Sequence, residues 1–325
     1  MAASKGVVIA AMIANGGIAV LKFFGFLLTG SPSMLAETYH SISDTGNQVL
    51  LLIGIRYSKR DATAQHPFGH GKAQFFYAFL VSVLLFGVAG WESLKHGIAE
   101  LRAGGHETET GAAEFLGFSI DIQTPVEPFW IVVAVLFGGI AFETYALAKA
   151  NSELRRQMDK YDWAGYREAF ERTSDLTTLT AFIEDGVALA GLGIALVGVV
   201  ATRITGNPVF DAAGAVVIGV LLMLFAVALA VENKRLILGE SLPEELEAEL
   251  RAVVADHEGV DHVDDLRTMF IGPARVLVTT DVGFDPTLEA VEINDAVDQI
   301  ERDLQAHDDR IKTIYIEPES KSSTA

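Results

Sequence analysis

The sequence predicts an α-helical membrane protein of six transmembrane helices followed by a small α+β domain. Three observations predict it. Half of the 325 residues are apolar, and the mean hydropathy is +0.33. Six stretches approach or exceed the roughly 20 mostly apolar residues that a helix needs to cross a hydrocarbon core of about 30 Å. The charge is also uneven: the chain carries −19 overall, and from Gly239 onward 22 acidic residues face 7 basic ones. Two compositional regimes imply two solvents, so residues 1–236 are assigned to the membrane and 237–325 to water.

The same composition excludes several classes. It does not fit a disordered chain, a collagen or a coiled-coil fibre. The chain has no cysteine, which removes disulfide scaffolds, thiolate zinc sites, CxxC redox centres and cysteine nucleophiles. Any metal chemistry must therefore use nitrogen and oxygen donors. The acidic tail offers no basic footprint for nucleic acid or a phosphate backbone.

The apolar stretches run over 6–29, 33–57, 74–100, 129–149, 176–202 and 210–231. Each contains glycine, alanine and small polar residues, which allow the close helix approach that drives association in lipid. Orientation follows from the basic residues of the connections. Lys5, Arg56, Lys59, Arg60, Lys72, Lys149, Arg155, Arg156, Lys160, Arg167, Arg172, Lys234 and Arg235 fall on one side, and the other holds little beyond Arg102 and Arg203. Both termini are thus expected in the cytoplasm. The first stretch is too long for a signal-peptide core and reads as a retained span.

Two connections carry further information. Residues 104–127 read as an acidic, glycine-rich outer loop in which His106 is solvated. Residues 150–174 alternate charges with Leu154, Met158, Tyr161, Trp163 and Tyr166, the pattern of an amphipathic interfacial helix. The tail reads as helix 243–257, strand 260–270, a turn at Gly272–Pro273, strand 275–284, helix 287–307 and strand 312–317. That is the α-β-β-α-β order of a ferredoxin-like domain.

Ionisable residues inside a bilayer cost several kcal/mol unless paired or solvated, so each is a functional candidate. The second stretch carries the densest set. Glu37, His40, Asp44 and Asn47 recur at intervals of three, four and three, which puts them on one helix face. His40 and Asp44 can present an imidazole nitrogen and a carboxylate oxygen to one Zn²⁺ or a neighbouring divalent metal, or can simply bond to each other.

The fifth stretch places Glu184 and Asp185 at a similar depth. Carboxylates facing His40 and Asp44 would complete a four-ligand site. Adjacent helical residues point about 100° apart, so both cannot face one ion without distortion. Asp185 is favoured as the ligand. Glu184 then carries a proton, pairs with Lys22, or serves as the fourth ligand after local unwinding.

The remaining polar residues are weaker candidates. Asn15 fits an interhelical hydrogen bond, Lys22 a carboxylate partner or the interface, and Glu143 a proton or structural role. Asp211 fits the start of the sixth helix. The loop His66-Pro67-Phe68-Gly69-His70-Gly71-Lys72 can hold a metal near the cytoplasmic mouth or merely fix its own turn.

At this point the residues resemble the cation diffusion facilitator family of divalent-metal transporters. The stretch Ser31-Pro32-Ser33-Met34-Leu35-Ala36-Glu37-Thr38-Tyr39-His40-Ser41-Ile42-Ser43-Asp44 is similar to that family's span-two signature, and the His66–Lys72 loop to its HPFGHGK element. The pattern is most similar to a divergent branch, found in some prokaryotic proteins and an animal zinc transporter, with span-two HSxSDxxNQ and a span-five Glu–Asp pair. The resemblance implies a homodimer in a cell membrane of the prokaryotic kind. It would export Zn²⁺ or a related divalent ion, as substrate and not as a resident cofactor, in exchange for protons.

Carried over by position, His40, Asp44 and Asp185 match the family's transport ligands. A fourth ligand in most relatives falls on Ala181 here, so water, Glu184 or another carboxylate must complete the site. A loop aspartate of relatives falls on Thr63, so His66 and His70 keep only part of a secondary metal site. The zinc-binding histidine positions of the tail fall on Leu238, Glu240, Asp264 and Tyr315, with Glu317 a partial match. His257, His262 and His307 read as surface residues. The acidic tail fits either metal-responsive dimer closure or a high-salt cytoplasm.

The expected mechanism is alternating access around a midplane site where cation and protons compete for the same groups. No Walker motif occurs, which disfavours ATP-driven pumping. The alternatives are a metal-gated channel or sensor, and an intramembrane metal-dependent hydrolase, although the chain has no HExxH motif.

Overall fold

The computed structural model describes residues 5–103, 113–115, 118–120, 127–161, 163–172, 176–273 and 275–319. The chain folds into two compact units, one of residues 1–52 and 80–230, the other of 53–79 and 231–325.

The first unit is helical. Helix α1 (Lys5–Thr29) ends at Gly30, whose φ of +65° stops the helix without steric strain. Helix α2 (Pro32–Ser58) begins where Ser31 Oγ accepts a 3.2 Å hydrogen bond from Met34 N and Pro32 takes the first helical position. Helices α3 (Ala73–Val81) and α4 (Gly87–Arg102) form one continuous rod, joined by a π-helical segment over Ser82–Phe86. A short hairpin pairs β1 (Ala113–Phe115) with β2 (Phe118–Ile120). It lies in the connection read as a flexible loop; His106 falls outside the described residues.

Helix α5 (Pro128–Tyr161) runs on past the predicted span end, so residues 150–161 of the stretch read as interfacial continue that helix without a break. The short α6 (Tyr166–Arg172) follows. Helices α7 (Leu176–Thr205) and α8 (Val209–Leu238) complete the set. They turn at Gly206 (φ +67°), and Asn207 Oδ1 accepts from Val209 N at 3.1 Å.

Among the described residues, Ala73–Arg102, Phe129–Asp159, Ala181–Thr205 and Val209–Leu238 are long and apolar enough to cross a bilayer, and Asn15–Thr29 is a shorter apolar helix. The exposed faces of this unit carry Leu21, Phe24, Trp91, Trp130, Phe137, Val197, Ile204 and Leu224. In water so much exposed apolar surface would drive association; in lipid it is the expected exterior.

Helix α7 lies along α5, and α1 also meets α5. Helices α4 and α8 approach through glycines: a Cβ on Gly219 would sit 2.7 Å from Leu94 N, and one on Gly97 2.9 Å from Val216 N. The core gathers Phe26, Met34, Leu136, Leu192, Ile218 and Leu222.

The second unit holds the end of α2, the loop to α3, and an α+β fold. Helix α9 (Glu244–Ala255), β3 (Val260–Gly272), β4 (Arg275–Phe284), α10 (Ala290–His307) and β5 (Ile311–Glu319) follow in the predicted order. The sheet order is β3-β4-β5, with β3 antiparallel and β5 parallel to β4. Alternate residues of β4, Val276, Val278 and Val282, turn inward with Leu250, Val254, Ile300, Leu304 and Ile311. Glu289 opens α10 through a reciprocal capping box with Glu292.

Candidate functional site

In the first unit, the polar stripe of α2 turns inward. Glu37 is fully buried, and His40 and Asp44 are 2% and 8% exposed. A buried ion pair anchors one end: Lys22 Nζ of α1 donates to Glu37 Oε2 at 2.8 Å, with both side chains fully buried. The lysine expected to seek a carboxylate or the interface therefore takes Glu37 as its partner, and Glu184 is left to other contacts. Bare glycines make the room. A Cβ on Gly139 of α5 would lie 3.7 Å from Lys22 Cε, and one on Gly191 of α7 would collide with Glu37 Oε1.

One turn further along α2, His40 Nε2 lies 3.7 Å from Asp44 Oδ2, too long for a hydrogen bond but close enough to share a small cation. Next, Asn47 Nδ2 lies 3.3 Å from Glu184 Oε1 and 3.5 Å from Oε2. The Glu184 and Asp44 carboxylates interact electrostatically. Asp185 is half-buried on the neighbouring face of α7, within electrostatic range of Glu143 on α5. Glu184 thus meets α2 through Asn47, while both acidic residues lie within electrostatic range of Glu143 on α5.

Four helices contribute to this cluster: α1 through Lys22, α2 through its stripe, α5 through Glu143 and α7 through its acidic pair. Buried oxygens Glu37 Oε1 and Asp44 Oδ1 have no hydrogen-bond partner among the described residues. A buried acceptor left so carries a desolvation penalty that a bound cation or proton would relieve. Among the described residues, no three His, Asp or Glu side chains close around a single point as they stand. The donors meet in pairs.

Two further sequence candidates lie in this unit. Asp211, in the first turn of α8, accepts a hydrogen bond from Ser33 Oγ and so ties the beginnings of α2 and α8. Asn15 is half-buried on α1. Neither the Ser33–Asp211 link nor the π-helical segment has a signature that sequence reading could use.

In the second unit, the rings of His66 and His70 stack with centroids 4.4 Å apart, and Tyr57 meets His70 edge-on at 5.4 Å. Thr63 and His66 exchange backbone hydrogen bonds of 3.1 and 3.0 Å, so the position where relatives were expected to carry an aspartate closes the turn instead. Lys72 Nζ donates to Ile237 O at 3.4 Å, and Gly71 lies against Gly272.

The tail histidines face carboxyl or carbonyl groups. His262 sits 3.1 Å from Asp261 Oδ2 and 3.4 Å from Asp264 Oδ2, His307 is 3.1 Å from Glu249 Oε2, and His257 Nδ1 is 2.8 Å from Glu258 O. His307 is exposed; His257 and His262 are half-buried. Leu238 and Tyr315 are exposed.

Comparison with known proteins places this arrangement. Residues 8–238 match the family model of the cation efflux transmembrane domain, and residues 242–320 that of the cation efflux protein cytoplasmic domain. The chain is 26% identical over 282 residues to Metal tolerance protein C4 of Arabidopsis thaliana, covering 87% of this chain and 57% of the relative. It is 29% identical over 279 residues to the human mitochondrial proton-coupled zinc antiporter SLC30A9, covering 86% and 46%. Over 283 residues it is 26% identical to the cation-efflux pump FieF of Escherichia coli, covering 87% and 82%. The chain spans about half the length of the plant and human relatives. With a family model matching well over half of its residues, the chain belongs to the cation diffusion facilitator family.

Proposed function

We propose that the protein is a secondary active transporter that moves a divalent metal cation, Zn²⁺ first among candidates, out of the cytoplasm in exchange for protons. The observation that carries this reading is the gathering of His40, Asp44 and Glu184, with Asp185, Glu37 and Glu143 in electrostatic range of that cluster, inside helices whose outer faces are apolar. An imidazole and several carboxylates form a nitrogen–oxygen donor set suited to Zn²⁺ and its neighbours. The same groups bind protons, so metal release and proton uptake exclude each other at one place. The names of the human and bacterial relatives support proton coupling and cation efflux.

His40 and Asp44 are the fixed half of the site, adjacent on α2. Glu184 is the α7 carboxylate nearest to them, and a rotation or local unwinding of α7 large enough to span the 100° offset would exchange it for Asp185. Such a rotation is the kind of two-state change that alternating access requires. Lys22 neutralises Glu37 and leaves the remaining carboxylates to meet the cation. His66 and His70 are a secondary loop site with two imidazoles. The proposed assembly is a homodimer, supported by the match to the cytoplasmic domain model, with both termini on the cytoplasmic side as the basic residues indicate.

Proteoliposomes that enclose a zinc-sensitive dye test this reading. Uptake that needs an opposing pH gradient and disappears in Asp44→Ala is expected. Flux indifferent to the gradient would favour the channel or sensor, and peptide cleavage without flux the hydrolase. Competition among Zn²⁺, Mn²⁺, Fe²⁺, Co²⁺ and Ni²⁺ then ranks the substrates.

A further inference from the structure

The second unit holds a cavity whose charged lining the transport reading leaves unused. It has a volume of about 420 Å³ and opens between the loop after α2 and the sheet, and its lining includes Lys59, Arg60, Asp61, Arg275, Thr313 and Tyr315. We propose that this cavity binds a phosphate ester, the anionic group shared by phospholipid headgroups and small soluble phosphates.

Several other arginines of this unit find acidic partners: Arg310 pairs with Asp308 at 2.5 Å, Arg267 with Asp265, and Arg235 with Glu232 at 3.6 Å and with Glu240. In so acidic a domain a carboxylate partner is easily found. Lys59, Arg60 and Arg275 nevertheless make no ion pair among the described residues, and all three line one cavity. Like charges gathered without counterions repel, and an anion placed among them would relieve that repulsion. Asp61 is the opposing charge in the lining, which leaves an excess of two positive charges.

The geometry is built rather than accidental. Arg275 Nη1 rests against Gly69: a Cβ there would lie 3.3 Å away, and Gly69 has a φ of +82° that other residues rarely adopt. The Arg60 guanidinium carbon stacks 4.2 Å from the centre of the Tyr57 ring. Tyr315 meets Phe68 edge-on at 6.5 Å, which steadies the aromatic wall. Two guanidinium forks, an ammonium and the hydroxyls of Thr313 and Tyr315 make a donor-rich set with little acceptor capacity, which suits phosphate oxygens.

The volume far exceeds a bare oxyanion and leaves space for the group it esterifies. Lys59 and Arg60 directly follow the last residue of α2, where a spanning helix reaches the headgroup layer. The tail's overall acidity excludes a polyanion such as nucleic acid, but two of the three cations come from the loop and not from the tail.

The test uses the full chain, and its readout is binding, so it stands or falls independently of transport. Thermal unfolding is followed in detergent during titration with glycerol 3-phosphate or inorganic phosphate at constant ionic strength. It is followed in parallel in phosphatidylcholine nanodiscs with and without phosphatidylglycerol. A rise in unfolding midpoint with the soluble phosphates identifies a soluble ligand, and a rise confined to phosphatidylglycerol discs identifies a lipid headgroup. In either case Arg275→Ala and the loop variant Lys59→Ala/Arg60→Ala should each weaken the response about tenfold, as loss of a charge-assisted contact predicts. Asp61→Asn should strengthen it. No response to any probe, or a response unchanged in both basic-residue variants, would overturn the proposal.

Discussion

The two units of this chain arrange the same residue types in opposite ways. In the helical unit Lys22, Glu37, His40 and Asp44 are inside, while Trp91, Trp130, Val197 and Ile204 face outward. In the α+β unit Val278, Ile300 and Leu304 are fully buried, and the acidic residues lie on the surface. Water sorts the second unit by the hydrophobic effect. Lipid removes that drive from the first, so a charge goes inside only where another polar group or a cargo receives it. A surface carboxylate in the tail therefore needs no special explanation, whereas a buried one in α2 or α7 does.

That contrast can be broken or sharpened by substitution. The largest effect is expected at the stripe itself: Asp44→Ala or His40→Ala should reduce zinc flux at least about a hundredfold, since each removes a donor from a site with few. Proteoliposome uptake at matched protein density checks this. Glu184→Gln and Asp185→Asn, compared in the same assay, show which α7 carboxylate faces the cation in turnover. The present contacts predict Glu184→Gln to be the more damaging.

Next come the buried charges. Lys22→Met should lower stability by about 3–5 kcal/mol by leaving the fully buried Glu37 unpaired, and the double variant Lys22→Met/Glu37→Gln should recover much of that loss. Unfolding of the detergent-solubilised protein measures both. In the aqueous unit, Ile300→Ala should cost about 2–5 kcal/mol, the usual range for a filled core position, seen as faster amide exchange in β4 and α10.

Smaller effects test close approach and pairing. Gly219→Ala should cost about 1–3 kcal/mol, because its Cβ meets the α4 backbone and a helix must shift. Asp308→Asn should cost at most about 1 kcal/mol. Partial burial would raise the Asp308 pKa, but its hydrogen bonds and ion pair with Arg310 outweigh this and hold the group below the usual carboxylate range. A depressed folded-state value stabilises above the unfolded pKa, and that contribution is lost as pH falls through the folded one. The stability difference between the parent chain and the Asp308→Asn variant should therefore vanish at acid pH, as unfolding midpoints across a pH series would show.

Much of this was legible in the sequence. Apolar length marked the helices to within a few residues except at the ends of α5 and α8, because hydrocarbon thickness imposes a length that composition reveals. Period-two valines in β4 and the turn at Gly272 marked the tail. The inward stripe was legible because spacing of three and four fixes a helix face.

What spacing cannot give is the rotation of one helix against another. The chain alone favoured Asp185 as the α7 donor to α2, whereas the contacts bring Glu184 to Asn47. The Lys22–Glu37 pair and the Ser33–Asp211 link join residues 15 and 178 positions apart, and no local pattern encodes them. The basic cavity was hidden for the same reason, since Arg275 meets Lys59 and Arg60 only after folding.

The central claim is that one buried donor set binds either a divalent cation or protons. Proton release on zinc addition to the purified full chain in weak buffer tests it directly. The account predicts that protons leave in a fixed ratio to zinc bound, and that Asp44→Asn loses both zinc binding and proton release at this site. Zinc bound with no protons released, or binding and release unchanged in Asp44→Asn and His40→Ala alike, would contradict it.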